Sequence, residues 1–194
     1  MFAASVNPHV RTLRAFLHAC RRQTVRPTPW MLFVNVAAQS MHVFRLRSSA
    51  WLPPQRGGFE LRSICAVSTS KFGTGQIENS NRTPLGLHRV AKKIGGGYPI
   101  GTVFRERRPV GTTWQGLPNA PIVHRILWLE GLEPGWNRGG QVDSFRRYIY
   151  LHGFSDETTL GRAISSGCIH VAAKDLLPLY DLLPVGTLVW IAQN

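Results

Sequence analysis

Glycine and proline interrupt this chain so often that long helices have little room. Its 194 residues include 19 Gly and 13 Pro, and between these lie short runs of β-branched and aromatic residues. Such punctuation favours many short strands closed by turns. Strands are predicted over residues 31–36, 41–46, 61–67, 86–92, 102–107, 122–129, 148–152 and 187–191. One amphipathic helix is predicted over 174–183. Asp175 stands near its start, Leu176, Leu177, Leu179, Tyr180 and Leu183 fall within three turns, and Pro184 and Gly186 end it. Residues 92–102 (KKIGGGYPIGT) and 139–144 (GGQVDS) read as exposed loops. The first has no following Lys-Ser or helix, so it is a turn rather than a phosphate cradle. The chain is therefore expected to be mainly β (α+β) with one or two helices.

The length suits one domain with its own core and at most a small appendage. No apolar run is long enough to span a membrane. The formal net charge is +13, and it is uneven: 19 of the 23 basic residues but only 5 of the 10 acidic ones lie in residues 1–141. Such a field draws a protein toward polyanions, whether nucleic acid, anionic lipid or an acidic wall. No helix-turn-helix, zinc finger or RNA-binding sheet signature accompanies it, so nucleic acid is not an expected partner.

Residues 1–29 carry Arg11, Arg14, Arg21, Arg22 and Arg26 and no acid. Val10, Leu13, Phe16, Leu17 and Cys20 share a helical face. The expected division is a basic N-terminal arm or helix over 1–29 and a main domain over 30–194. The segment is a short helix packed on that domain, a disordered arm, or a helix lying on an anionic surface; one of the first two is expected. No convincing export signal precedes residue 30: Arg14 and His18 cut the only early apolar run short, and LHAC (17–20) lacks the hydrophobic stretch of a lipobox.

The three cysteines are Cys20, Cys65 and Cys168. No spacing supports a metal site, and no cofactor is expected. A Cys20–Cys65 disulfide has no motif behind it, and two inert thiols are expected there. Cys168 differs. It sits in a Ser165-Ser166-Gly167-Cys168 turn, sixteen residues after His152, which ends the apolar aromatic run from Tyr148. A thiol has a pKa of about 8.5, and an adjacent imidazole lowers it and moves protons for it. Amide groups around Gly167 and Cys168 are candidates for an oxyanion site. Ser165 and Ser166 are candidates to bond the imidazole or the substrate.

His152-Gly153, Ser-x-Gly-Cys-Ile, Asp-Leu and Leu-Pro-Val-Gly-Thr come in an order that resembles the YkuD-type L,D-transpeptidases. PWMLFVNVAAQSMHVF (29–44), AVSTSKFGTG (66–75) and TPLGLHRV (83–90) resemble the family's opening hairpin and internal strand motifs. The resemblance covers roughly residues 30–192. It implies a β-sandwich-like catalytic domain in the periplasm or cell wall of a bacterium. It implies that Cys168 is the nucleophile and His152 the proton donor and acceptor, with Gly167, Ser166, Ser165, Gly153 and His170 positioning substrate. It implies peptidoglycan stem peptides as partners, with a wall-linked lipoprotein as an alternative acceptor. The reaction would release D-Ala through a thioester and form a 3→3 crosslink. Hydrolysis at the same Cys-His site, and a silent wall- or polyanion-binding module, are the alternatives. Two positions depart from the family pattern. His170 replaces the usual Arg, which weakens a carboxylate anchor, and Phe154 replaces the usual Thr, which makes the pocket mouth more apolar. Arg125 and Arg162 are candidate substitute anchors.

Overall fold

The computed structural model describes residues 8–47 and 58–193; the first seven residues of the predicted arm lie outside them. Ten strands form one sheet: β1 Trp30–Asn35, β2 Ser40–Leu46, β3 Phe59–Ser68, β4 Gly86–Ile94, β5 Thr102–Arg105, β6 Arg108–Thr112, β7 Val123–Gly131, β8 Tyr150–Gly153, β9 Ile169–Val171 and β10 Leu188–Ala192. Two α-helices flank it, α1 Pro8–Arg22 and α2 Ala173–Leu182. The strand order is β4-β10-β1-β2-β3-β9-β8-β7-β5-β6, and β4 also pairs with β7. That pairing closes eight strands into a ring and leaves the β5–β6 hairpin projecting from β7. Closure removes most exposed edges, and Pro109 lies in β6, the end strand, where its missing N–H costs no ladder bond.

Alternation along the strands gives the ring two buried surfaces. Leu32, Val34, Val67, Leu127, Leu129, Leu151, Ile169, Val171, Val189 and Ile191 face one core, together with Leu176, Leu179, Tyr180 and Leu183 from α2. Met31, Phe33, Phe44, Leu87 and Leu188 face a second core beneath α1. The apolar face of α1 (Phe16, Ala19, Cys20) is buried there, so this helix covers the sheet and its apolar side is not free for a membrane. The three cysteines are unpaired: Cys20 is buried and Cys65 partly buried, and burial pushes each of these two thiols up to about 12.

Several predicted elements need correction, and β4 runs on to Ile94, into the loop predicted over 92–102. The predicted strand 102–107 ends at Arg105, because Glu106 and Arg107 take positive φ (49° and 67°) and turn the chain into β6. Positive φ at both central residues is the two-residue hairpin geometry, and Glu-Arg carries none of its usual sequence marks. The strand predicted over 148–152 starts at Tyr150, since Tyr148 has φ 56°. In the loop predicted over 139–144, Ser144 is fully buried: its hydroxyl donates to His88 Nε2 at 3.0 Å, while His88 Nδ1 donates to Gly86 O.

Candidate active site

β8 and β9 run parallel and adjacent, with Leu151 opposite Ile169, His152 opposite His170 and Gly153 opposite Val171. Leu151 and Ile169 face the inner core. By the period of two, Tyr150 and His152 on β8 and His170 on β9 point to the opposite face, and Cys168 just ahead of β9 shares it. There Cys168 packs against the cluster of Phe104, Ile126, Trp128 and Tyr150. Cys168 and His152 thus occupy one face on neighbouring strands, offset by one step. Short parallel strands carry this arrangement because residues 154–168 cross back over the end of β3. Gly161 N donates to Val67 O, Ser165 N to Thr69 O and Lys71 N to Ser165 O.

The cysteine turn is braced from two sides. Ser165 Oγ donates to Cys168 O at 2.6 Å and accepts from Gly167 N at 3.2 Å. Thr83 Oγ1 donates to Gly167 O at 3.0 Å, which ties the 73–83 loop to the turn. Gly167 has φ 118°, a conformation open to glycine and strained for other residues. Ser165 is therefore a turn brace and bonds no imidazole; its short side chain reaches only its own turn. Ser166 is exposed.

His152 is buried, and its Nδ1 lies 2.8 Å from Gly153 O. A carbonyl only accepts, so Nδ1 carries the proton and the Nε2 lone pair is left as the basic site. Gly153 is a packing requirement here. A Cβ on it would lie 2.5 Å from His124 Cδ2 and 2.6 Å from Val123 O. Gly153→Ala should force β8 off β7, destabilise the protein by about 1–3 kcal/mol and move the carbonyl that orients His152. Urea unfolding measures the first effect; a wild-type midpoint would contradict the packing argument.

Electrostatics correct one expectation. Burial pushes the Cys168 thiol up to about 11, although the residue is partly open to solvent; the Tyr150 N–H and the Arg147 charge pull it down by less. Burial also pushes His152 down to about 4. The resting pair at neutral pH is thiol and neutral imidazole, not an ion pair, because the aromatic surroundings desolvate both charged forms. Cys168 Sγ rests against Tyr148 O at 3.4 Å.

His170 is buried and stacks on Phe154 (ring centroids 4.4 Å, 16°) beside the His152 ring (4.9 Å). Among the described residues its Nδ1 has no hydrogen-bond partner. Burial and the neighbouring His152 push it down to about 3, so this position carries no charge. Arg125 donates to His124 O and lies over Tyr180 of α2, and exposed Arg162 donates to Thr158 O. Sequence reasoning assigned no role to Arg147, Thr83 or Arg107. Arg147 donates to Gly75 O, Gln76 O and Arg82 O, clamping the loop that braces Gly167. The signal was present in the AVSTSKFGTG and TPLG motifs, whose loop residues surround the cysteine turn.

Fold and site together define a β-rich domain built to hold one thiol and one oriented imidazole on an outer sheet face. The family model of the L,D-transpeptidase catalytic domain, YkuD, matches residues 29–191, and the chain belongs to that family. Among solved structures the chain is similar to Bd1075 of Bdellovibrio bacteriovorus, with TM-score 0.54 and 14% identity over 86% of this chain and 49% of that one. It is also similar to L,D-transpeptidase 3 from Mycobacterium tuberculosis, with TM-score 0.49 and 13% identity over 84% of this chain and 61% of that one. The chain spans about half to three fifths of these two structures. At such identity the first likeness is one of fold alone. No curated protein matches the sequence.

Proposed function

We propose that this domain is a peptidoglycan L,D-transpeptidase acting through Cys168 and His152. The observation that carries the reading is the fixed tautomer of His152. Its Nδ1–H is held on Gly153 O, which presents a basic Nε2 on the face it shares with Cys168. Nε2 takes the thiol proton as Sγ attacks the carbonyl carbon of the third residue of a donor stem. The oxyanion falls to the Cys168 N–H, since Ser165 Oγ already holds the Gly167 N–H. The bond to D-Ala breaks, the imidazolium gives its proton to the departing amine, and a thioester remains. The amine of a second stem, deprotonated by Nε2, then attacks the thioester, forms the 3→3 link and frees the thiol. An amine of a wall-linked lipoprotein would resolve the same thioester by the same chemistry.

The neutral resting pair fits this sequence: charge develops only when substrate displaces water and supplies new dipoles. Ser166, exposed beside the nucleophile, and His170, beside the base, line the approach. The reaction on wall peptides locates the domain in the periplasm or cell wall. Among the described residues no helix is long and apolar enough to cross a membrane.

Incubation with disaccharide-tetrapeptide should release D-Ala and yield a crosslinked dimer, and a carbapenem should leave a covalent adduct on Cys168. Chromatography of the products and intact mass read the two results. Monomeric tripeptide without dimer would indicate hydrolysis, and absence of any product and adduct would overturn the reading.

A further inference from the structure

The two ends of the outer face around Cys168 differ. Past His152 it ends in His170 stacked on Phe154, an uncharged aromatic pair. At the Tyr148 end the surroundings are different. Phe145 stacks on Trp128 at 4.2 Å and 6°, Trp128 meets Tyr150 edge-on at 5.4 Å, and Tyr148 tilts against Trp128 at 5.6 Å. Arg107, at the tip of the β5–β6 hairpin, lies on this aromatic shelf, with its guanidinium carbon 4.7 Å from the Tyr148 ring centre and 5.3 Å from that of Trp128. The backbone carbonyl of the same Tyr148 accepts from the Cys168 thiol.

Arg107 is partly exposed and forms no salt bridge among the described residues. Stacking and a hydrogen bond donated to the Tyr150 hydroxyl fix its guanidinium and leave its remaining N–H groups for a planar anion. Two other cations near this end are already engaged. Arg147 is spent on three carbonyls. Lys92 lies over the Trp128 and Phe145 rings, 5.5 Å from each centroid.

We propose that Arg107 is the carboxylate anchor of this site, so that the acidic group of the bound substrate lies toward the β5–β6 hairpin and its uncharged part lies against His170 and Phe154. The inference rests on the reading of Cys168 as the reactive thiol and specifies which end of the site reads charge. It explains why His170 is tolerated: the charge absent from β9 is supplied by the hairpin. A forked arginine held flat by aromatics binds a carboxylate at two points, and lysine retains the charge without the fork.

The test uses two alkylating reagents on the intact protein. In each, Sγ displaces iodide and forms a thioether; iodoacetate carries a carboxylate next to the reacting carbon and iodoacetamide does not. Rates at Cys168 are read by peptide mapping, which separates it from Cys20 and Cys65. In R107Q the iodoacetate-to-iodoacetamide ratio should fall about threefold to tenfold, while R107K should keep most of it. The ratio cancels any general change in thiol reactivity, which a merely structural role for the hairpin would produce. An unchanged ratio in R107Q overturns the proposal. A second arm compares a stem tetrapeptide donor with its C-terminal amide. R107Q should raise KM for the free acid about tenfold and leave the amide unchanged; equal KM for the acid in wild type and R107Q overturns the proposal. If the wild type takes neither peptide while the alkylation ratio still falls in R107Q, the anchor stands and the transpeptidase reading fails.

Discussion

Cys168→Ala should abolish acyl-enzyme formation and leave the fold standing. The substitution removes one sulfur that donates to Tyr148 O at 3.4 Å and accepts from the Tyr150 N–H, and the turn keeps its bonds through Ser165 and Thr83. The expected stability loss is about 1 kcal/mol or less. The expected loss of thioester, D-Ala release and carbapenem adduct is complete, because no second thiol serves the site. Cys20 is buried on the inward face of α1 and Cys65 packs against the inner core, and burial pushes both thiols up to about 12. Mass spectrometry and circular dichroism on the same sample separate the two effects. D-Ala release at the wild-type rate by the folded variant would remove Cys168 from the chemistry.

The second large effect is on stability in mild acid. His88, His152 and His170 are buried and neutral, with imidazoles pushed from about 6.5 down to about 4, 4 and 3 by burial, with His152 adding to the shift at His170. The unfolded chain binds protons on these rings from about pH 6.5 downward, while the folded chain does not until near pH 4. Between those limits the unfolded state holds more protons, so stability falls as pH falls. Each histidine costs about 2 kcal/mol by pH 5, and together about 6 kcal/mol, a large share of a domain's usual 5–15 kcal/mol. Urea midpoints should drop steeply between pH 7.5 and 5. His88 lies outside the site, so His88→Gln should remove about a third of that slope without altering Cys168. A midpoint constant over this range would contradict the burial of neutral rings. A drop confined to pH below 4 would do the same.

The sequence made some of this architecture legible and concealed the rest for physical reasons. The strands with continuous apolar alternation, β1, β2, β7 and β10, were readable because both faces of the ring are buried and the pattern is dense. The helix around Leu176 and Tyr180 was readable from its period and its terminal Pro184. β9 was missed because three residues, Ile169–Val171, are too few to show alternation, and its partner β8 lies a whole loop away. The hairpin turn at Glu106-Arg107 was missed because neither residue is a usual carrier of positive φ. Cys168 and His152 were legible as chemistry through the turn and the strand end. Their shared face was not, since it depends on the parallel register of β8 with β9. Nor could sequence reveal that His170 would be buried and uncharged, or that desolvation would outweigh the imidazole in setting the thiol. The role of Arg107 follows from cross-strand stacking on Tyr148 and Trp128, contacts with no local signature.

The account turns on whether His152 serves Cys168 as its base. The most direct measurement is the pH dependence of Cys168 alkylation by iodoacetamide in wild type and in His152→Ala. In the wild type the neutral imidazole takes the thiol proton as Sγ attacks, and it stays neutral down to about pH 4, so the rate levels off below neutral pH. In His152→Ala only free thiolate reacts, and the rate should fall about tenfold for each pH unit down to the lowest pH tested. Parallel profiles, with both proteins falling alike through pH 5, would contradict the account.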